Sequence, residues 1–387
     1  MTSLPIELVH IIVGIVADSD VTSDLLACSS TCRQWNAASR SLVFRHITIT
    51  SESKLQPLAK LLQDSEIKSW IRHFGIDARS YRRSRQSWVL QVFDILHAYG
   101  PFPRIQKLDL LGLFETPEYG TNPDLFTTKL ASLSSVTSLR ILETGLPHGL
   151  LRSYISSFPH LENLTILRTK TSIFGTYTHD DNPNLALKSF TFADRYSETD
   201  VEVIPWIARS KSYETLRTIS VDHGESLRHW VLVHSFSTLL GPRITHLSLR
   251  PNMINSYATS PLFELSAFSA LRILTLHTYP TAETNTLLNN LPSPELLRSL
   301  RYHSGCNIGP DIWPESQDDT QVPIYRFPNL EEVLAVDDSQ AVSREDTPTP
   351  PVWMAALIEM YPELGKKGMF KVVNVSKYDD PRVWEWD

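Results

Sequence analysis

The residues that could carry chemistry are few in this sequence. Cys28 and Cys32 stand four residues apart, so on a helix both thiols would lie on one face, where they could in principle bind a metal ion. No second pair of ligands follows at zinc spacing, and a role as small buried hydrophobic side chains is the simpler interpretation. With Cys306 the chain has three cysteines, which cannot form a disulfide framework.

Known catalytic motifs are absent from the sequence. It has no glycine-rich phosphate loop, no His-Glu-x-x-His and no Gly-x-Ser-x-Gly, which are the arrangements that cradle phosphates, bind zinc or activate a serine. The 13 histidines are scattered along the chain. We therefore predict a protein without catalytic residues, metal ion or cofactor. The alternative is an enzyme whose active site is hidden in its long loops.

A repeated triplet of apolar residues organises most of the chain. Two variable positions separate its first and second apolar residues, and one variable position separates the second from the third. Each copy therefore ends in alternating apolar and polar residues, which is typical of a half-buried strand, and helix-like stretches lie between the copies. From Ile71 to Leu330, successive copies begin 22 to 34 residues apart. They are Ile71/Phe74/Ile76, Ile105/Leu108/Leu110, Leu161/Leu164/Ile166, Leu187/Phe190/Phe192, Leu216/Ile219/Val221, Ile244/Leu247/Leu249, Leu271/Leu274/Leu276 and Leu297/Leu300/Tyr302, with weaker copies at Leu139/Leu142, Leu330/Val333/Ala335 and Phe370/Val373/Val375.

The spacing of these copies predicts an α/β fold with a parallel sheet and outer helices. A strand that returns through a helix to a parallel neighbour needs about this many residues, and one such unit cannot bury its apolar face alone. We expect a helical linker over 47–70, stacked repeats over 71–336, a flexible insertion over 337–351 and a C-terminal cap over 352–387. A non-repetitive doubly wound domain is the alternative.

Four polar residues share one position of the repeat, directly after the third apolar residue. They are Asp222, Arg250, His277 and His303. Equivalent positions on parallel strands meet at one edge of the sheet, so these side chains could form a polar ridge that recognises a protein partner. A solvated rim without a binding role is the alternative.

The first 46 residues follow a different, helical pattern. Pro5 and Glu7 suit the first turn of a helix, since proline lacks an N–H that would be unpaired there and the carboxylate complements the helix dipole. A second helix is predicted to begin at Thr22 or Ser23, and a third follows it. The first helix carries one apolar stripe at Leu8, Ile11, Ile12, Ile15 and Val16. So small a segment cannot bury all of its apolar side chains within itself, and it needs a partner or a further domain.

This segment resembles the F-box, the helical module that docks its protein onto a Skp-family adaptor in Skp–cullin–F-box ubiquitin ligases. The resemblance rests on Leu4, Pro5, Glu7, Leu8, Ile12, Leu25, Leu26, Cys28, Cys32, Arg33 and Trp35, whereas Thr31 replaces an apolar residue usual in the family. A plain helical cap on the following domain is the alternative. The resemblance implies that the adaptor is bound by Leu4, Pro5, Glu7, Leu8, Ile11, Ile12, Leu25, Leu26 and Trp35.

The repeats in turn resemble the leucine-rich-repeat solenoid of F-box proteins, in the divergent form common in fungi that largely lacks the conserved Asn or Cys. The two resemblances imply a non-catalytic substrate-recognition subunit of a ubiquitin ligase. Its F-box would bind the adaptor and, through it, a cullin, while its repeats would hold a protein substrate of unknown identity. The alternative function is an F-box scaffold that acts outside a ligase.

The net charge and the hydropathy of the sequence argue against two other classes of protein, those that bind nucleic acid and those that span a membrane. A net charge of −7 without a long basic run argues against a nucleic-acid-binding protein, and the local cluster Arg79, Arg82, Arg83 and Arg85 is more simply a solvated loop. No segment is long and apolar enough to suggest a membrane span. Together with the few cysteines, this predicts a cytoplasmic or nuclear protein, or one in both compartments.

Overall fold

The computed structural model describes residues 4–18, 22–80, 87–113, 128–145, 148–167, 184–194, 206–223, 237–250, 265–277, 280, 282–303, 324–337 and 352–374. The chain divides into two compact units, residues 1–180 and 181–387. Both units are built from parallel strands with helices or helical turns between them. None of the helices in the described ranges combines the length and the hydropathy that a membrane span requires.

The first unit begins with three helices: α1 (Ile6–Asp18), α2 (Thr22–Thr31) and α3 (Arg33–Val43). Their shared core consists of Val9, Val13, Leu25 and Ala38, against which Val16, Ala17, Cys28, Trp35, Leu42 and Val43 pack. The inward face of α1 is therefore its valine face. Of the predicted stripe at Leu8, Ile11, Ile12, Ile15 and Val16, only Val16 packs against this core. Helix α1 is apolar on both faces, so its periodicity does not show which face turns inward.

The rest of the first unit is a parallel sheet in sequence order. Its strands are β1 (His46–Ile49), β2 (His73–Asp77), β3 (Lys107–Leu111), β4 (Ser138–Leu142) and β5 (Asn163–Leu167). The connections contain α4 (Leu55–Leu61), α5 (Ser65–Trp70), α6 (Ser87–Tyr99) and α7 (His148–Ser156), with short 3-10 helices at Glu52–Lys54 and Ala131–Leu133.

The second unit repeats this arrangement, and each of its strands pairs in parallel with the next. The strands are β6 (Ser189–Asp194), β7 (Thr218–His223), β8 (His246–Arg250), β9 (Ile273–Leu276), β10 (Ser299–His303), β11 (Glu332–Asp337) and β12 (Phe370–Asn374). The helices are α8 (Ser212–Thr215), α9 (Ala282–Asn289), α10 (Val352–Met360) and α11 (Pro362–Lys366). Single 3-10 turns lie at Gly241–Arg243, Leu265–Ala267, Pro294–Leu296 and Ile324–Arg326.

The predicted triplets form the core of each sheet. In the first unit, Phe74, Leu108, Leu139 and Leu164 are register partners across four strands, and all four are buried. The second unit has the same kind of row at Phe190, Ile219, Leu247, Leu274, Leu300 and Val333, also buried. The prediction of parallel strands that bury these triplets is confirmed within each unit. Such repetition is compatible with a leucine-rich-repeat-like solenoid.

Three details of the repeat differ from the prediction. The sheet begins before residue 71, because β1 lies inside the segment 47–70 that was interpreted as a helical linker and pairs with β2. In β4 the buried pair is Leu139 and Ile141, not Leu139 and Leu142. In β12, Phe370 and Val372 pair with Val333 and Ala335, which shifts the terminal triplet. Both strands have apolar residues at adjacent positions, where period-2 alternation cannot show which face is buried.

The two predicted C-terminal segments, the insertion and the cap, lie only partly within the described residues. Residues 338–351 of the predicted insertion lie outside the described residues, as do 375–387 of the predicted cap. Within the cap region the structure has α10 at Val352–Met360, α11 and the strand β12.

Neighbouring turns approach each other closely at the strand entrances. A Cβ atom on Gly241 would lie 2.6 Å from the carbonyl oxygen of Ala267, so this contact requires glycine. Buried hydroxyls link other turns: Ser135 Oγ donates to the carbonyls of Phe102 and Ile105, each at 2.7 Å. These hydroxyls satisfy backbone acceptors that the strand ladder does not reach.

The core rows predict the effect of a truncation. Leu274→Ala removes a fully buried side chain from the middle of the second unit's row and should lower the free energy of unfolding by about 2–5 kcal/mol. Leu296→Ala, at a position 38% exposed, is the matched control and should change stability much less. Urea denaturation of both variants measures the difference, and equal midpoints would contradict the core assignment.

Candidate protein-binding surfaces

The N-terminal helices expose an unusually large set of apolar side chains. Seven of them, between 36% and 66% exposed, are Leu4, Ile6, Leu8, Ile11, Ile12, Ile15 and Leu26. Four of these lie on α1 at spacings of three and four residues, which places Leu8, Ile11, Ile12 and Ile15 on one side of the helix. We refer to these four residues of α1 as the exposed apolar face. Single exposed leucines need no explanation, but a contiguous apolar patch marks an interaction surface.

Most of the predicted adaptor-binding residues lie at the surface of the helical module. Leu4, Pro5, Glu7, Leu8, Ile11, Ile12 and Leu26 are all exposed. Leu25 is different, since it is 7% exposed and belongs to the helices' own core, and Trp35 packs against that core. Ile6 and Ile15 are also exposed but were not among the predicted adaptor-binding residues, although the spacing of Ile15 from Ile11 and Ile12 places it on their side of α1.

The two N-terminal cysteines are not equivalent. Cys28 is half-buried and packs against the helical core, as expected, but Cys32 is exposed, so its interpretation as a buried hydrophobic residue was wrong. Among the described residues, no group of three or more His, Cys, Asp or Glu side chains is placed to hold a metal ion.

A second surface is the side of each sheet that does not carry the triplets. Alternate residues of a strand point to opposite faces, so the variable positions within the triplets line this side. In the second unit the structure brings the predicted ridge residues into one row. Asp222 is the register partner of Arg250. The His277 N–H donates to the carbonyl of Leu249, the residue before Arg250, at 2.8 Å. The His277 and His303 rings lie 4.6 Å apart.

The ridge is less exposed than predicted at its histidine end. His303 is only 4% exposed, and His277 is half-buried with its Nε2 atom 2.9 Å from Ser248 Oγ. Strand neighbours on both sides shield these rings, and only the tertiary pairing supplies such neighbours. The histidines therefore help to shape the sheet face and offer little surface of their own.

A polar network in the last strands of the second unit was not predicted. Glu332 Oε1 accepts a hydrogen bond from Ser299 Oγ at 2.7 Å and lies 3.5 Å from Arg301 Nη2. Arg301 Nε also donates to Ser299 Oγ at 2.9 Å, and Lys371 Nζ lies 3.7 Å from Glu332 Oε2. These partners come from three neighbouring strands that are about 30 residues apart in the chain. Nothing in the local sequence links them.

The first unit has a corresponding cluster around Asp109. Asp109 Oδ2 lies 2.9 Å from His73 Nε2 and 3.2 Å from Arg140 Nη2, and the rings of His46 and His73 stack with centroids 3.9 Å apart. Burial raises the pKa of Asp109, but the contact with His73 and the charges of Arg140, His73 and His46 outweigh it and hold the pKa below its ordinary value. The carboxylate is thus kept ionised, as an anchor for cations from both neighbouring strands.

Comparison with known proteins gives little beyond this geometry. No family model matches the sequence, and no curated protein matches it. Among solved structures, a similar chain is a protein from Bacteroides fragilis, with 13% sequence identity and a TM-score of 0.40 over 84% of this chain and 73% of that chain. The class that the structure itself defines is a repeat-like α/β protein with parallel strands. That class follows from the strand pairing and does not depend on this likeness.

The Asp109 cluster predicts a pH-dependent contribution to stability. Because the folded pKa of Asp109 is depressed, its contribution is present above the unfolded pKa of about 3.9 and is lost as the pH falls through the folded value. Asp109→Asn should therefore destabilise the protein at neutral pH, and the difference from the parent chain should shrink below about pH 4. Denaturation midpoints at neutral and acidic pH measure this.

The matched control is Glu66→Gln, which removes an exposed carboxylate of the same unit. It should alter stability much less at either pH. A stability difference between the parent chain and Asp109→Asn that stays constant into the acidic range would show that the carboxylate charge is not what stabilises this cluster.

Proposed function

We propose that this chain is the substrate-recognition subunit of a Skp–cullin–F-box ubiquitin ligase. The observation that carries the proposal is the exposed apolar face on a three-helix module whose own core is already filled by Val9, Val13, Leu25 and Ala38. In this proposal the module is an F-box, and the exposed apolar face is the surface that docks the Skp-family adaptor.

The energetics support a docking role for this face. Each exposed Leu or Ile would contribute roughly 1.5–3 kcal/mol when a partner removes it from water. The valine face of α1 already supplies the contacts that hold the module together, so Leu8, Ile11, Ile12 and Ile15 add nothing to that core. Their exposure lowers the solubility of the free chain, which is a cost that a partner surface would offset.

The parallel sheets support the second half of the proposal. Successive strands in register, with a turn-rich connection between each pair, are the arrangement expected of a divergent leucine-rich-repeat solenoid. Such repeats present one sheet face along which a partner can lie, and here that face carries the clusters around Asp109 and Glu332. We place the protein substrate on this face.

The mechanism requires no reacting group from this chain. By holding the adaptor at one end and a substrate on the repeats, the subunit would raise the local concentration of substrate near the ubiquitin carrier. Orientation then makes the transfer nearly intramolecular, and the bond-forming residues belong to the other subunits. An F-box scaffold that binds the adaptor outside a ligase shares every structural feature above and differs in that no cullin would accompany it.

Adaptor docking is tested by the double variant Leu8→Asp, Ile12→Asp. Both side chains are exposed in the free chain, so the substitutions leave the helical core intact but force two carboxylates beneath the partner. The variant should lose both adaptor and cullin in an affinity purification while its thermal unfolding stays near that of the parent chain.

The control variant carries the same substitutions on exposed leucines of the second unit. Leu239→Asp with Leu296→Asp should retain adaptor and cullin, because these positions lie outside the proposed F-box. Undiminished adaptor recovery with Leu8→Asp, Ile12→Asp would remove the F-box assignment. Adaptor without cullin in the parent chain would favour the scaffold.

The substrate face is tested at the register pair Asp222 and Arg250. Asp222→Arg with Arg250→Asp exchanges the two charges between neighbouring strands, so the net charge is kept while the pattern offered to a partner is reversed. Co-purified substrate proteins should decrease, with adaptor recovery and melting temperature nearly unchanged.

A second exchange provides the matched control. Glu363→Lys with Lys366→Glu reverses an exposed ion pair on α11, whose charged atoms are 2.8 Å apart. It should leave the substrate set unaltered. If both exchanges give the same set of partners as the parent chain, the row of Asp222 and Arg250 is a solvated rim.

A further inference from the structure

A single backbone row crosses each sheet where its strands begin. Within each unit, the residue that follows the first apolar residue of one triplet accepts a hydrogen bond at its carbonyl from the N–H of the equivalent residue in the next copy. The Arg72 N–H donates to the carbonyl of Arg45 at 2.9 Å, and the Arg217 N–H donates to the carbonyl of Lys188 at 3.0 Å. We call this row the amino-terminal rim. It consists of Arg45, Arg72, Gln106, Thr137 and Glu162 in the first unit and of Lys188, Arg217, Thr245, Arg272, Arg298 and Glu331 in the second.

The rim is cationic in a chain that is acidic as a whole. Six of these eleven positions carry Arg or Lys and two carry Glu, whereas the whole chain has a net charge of −7. Since overall negative charge repels acidic molecules, any attraction for them must come from such a local concentration of cations.

Backbone carbonyls orient the rim arginines Arg72 and Arg217 without neutralising them, whereas Arg298 pairs with Glu331 at 3.3 Å. Arg72 Nη1 donates to the carbonyl of Ser69 at 2.7 Å, and Arg217 Nη1 donates to the carbonyls of Glu214 and Leu216, each at 2.8 Å. A carbonyl satisfies a guanidinium N–H but brings no countercharge, so the cation is held in place with its charge still available.

In the first unit two further cations adjoin the rim. Arg104 and Lys107 flank Gln106 at the start of β3, and both are exposed, as is Arg45. The side chains of Arg45, Arg104 and Lys107 form no ion pair with any described residue. Burial lowers the pKa of Arg72, and so do the positive charges of Arg104 and Arg45, which repel its guanidinium group.

A carboxylate on the same strand as Lys107 is already engaged. Asp109 follows Lys107 by two residues on β3, and it contacts His73 and Arg140. It therefore does not offset the charge of the rim. An external anion would relieve the repulsion at the strand entrances.

We propose that the rim cluster of the first unit, Arg45, Arg72, Arg104 and Lys107, binds an Asp- and Glu-rich segment of a partner protein. Neighbouring strands lie about 4.8 Å apart, so these cations are spread along the sheet edge and suit the successive carboxylates of an extended chain better than one convergent phosphate. The assignment of this segment to the ligase substrate rests on the proposed function, whereas binding itself does not.

The experiment measures binding of a fluorescently labelled oligoglutamate peptide to the full chain, without adaptor, by fluorescence anisotropy. The peptide should bind, with affinity that falls as salt is raised to about 0.15 M and beyond. Arg45→Glu with Lys107→Glu, at two exposed cations that contact no described acid, should weaken binding at least about tenfold, equivalent to about 1.4 kcal/mol. Melting temperature is recorded for each variant to confirm folding.

The control Lys54→Glu with Lys60→Glu makes the same change in net charge at two exposed lysines of the same unit. It should retain peptide binding within about twofold. Equal losses in the two double variants, or no binding to the parent chain, would overturn the proposal. Tighter binding of a phosphopeptide or of a single-stranded oligonucleotide than of oligoglutamate would also overturn it. Adaptor binding is scored separately, so failure of the F-box assignment and failure of the rim are different results.

Discussion

The structure depends on one constraint: a parallel strand with its return connection cannot bury its own apolar face. Each triplet is buried only because the next copy lies beside it in register, as Leu247 lies beside Leu274 and Leu274 beside Leu300. Stability is therefore shared between neighbours and grows with each added copy. The close contact at Gly241 and the buried hydroxyl of Ser135 have the same origin, because stacking brings turns of successive copies together.

The same constraint explains why the functional surfaces lie where they do. Because the triplets bury one face of each sheet, polar residues occupy the other face and the strand entrances. Strand pairing then gathers these residues into groups such as Asp109 with His73 and Arg140. The depressed pKa of Asp109 results from His73, Arg140 and His46, which three other strands bring to it. Recognition on such a surface is distributed over several repeats, which suits an extended protein partner.

The N-terminal helical module is stabilised in a different way from the sheets. Three short helices bury a small core, and α1 is apolar on two faces, of which only the valine face is used internally. A helix that is apolar all round is normally enclosed, so the free face of α1 implies a partner surface. Adaptor docking and substrate recognition thus occupy physically separate parts of the chain in our proposal, which is why each can be altered without the other.

The sequence alone determined the class of fold and most of the strand positions, because a triplet that alternates apolar and polar residues is visible locally and recurs. It also identified the exposed residues Leu4, Leu8, Ile11 and Ile12, through their resemblance to a known module. It did not identify β1, and it misplaced the buried positions of β4 and β12, where adjacent apolar residues make two registers look alike.

Tertiary structure alone decided which apolar face of α1 turns inward, that Leu25 belongs to the core, and that His303 is buried. It also decided which polar side chains meet, as Glu332 does with Ser299, Arg301 and Lys371. The physical reason is the distance along the chain: these partners come from strands separated by whole repeats, and no local pattern specifies which charges will face each other until the strands pair.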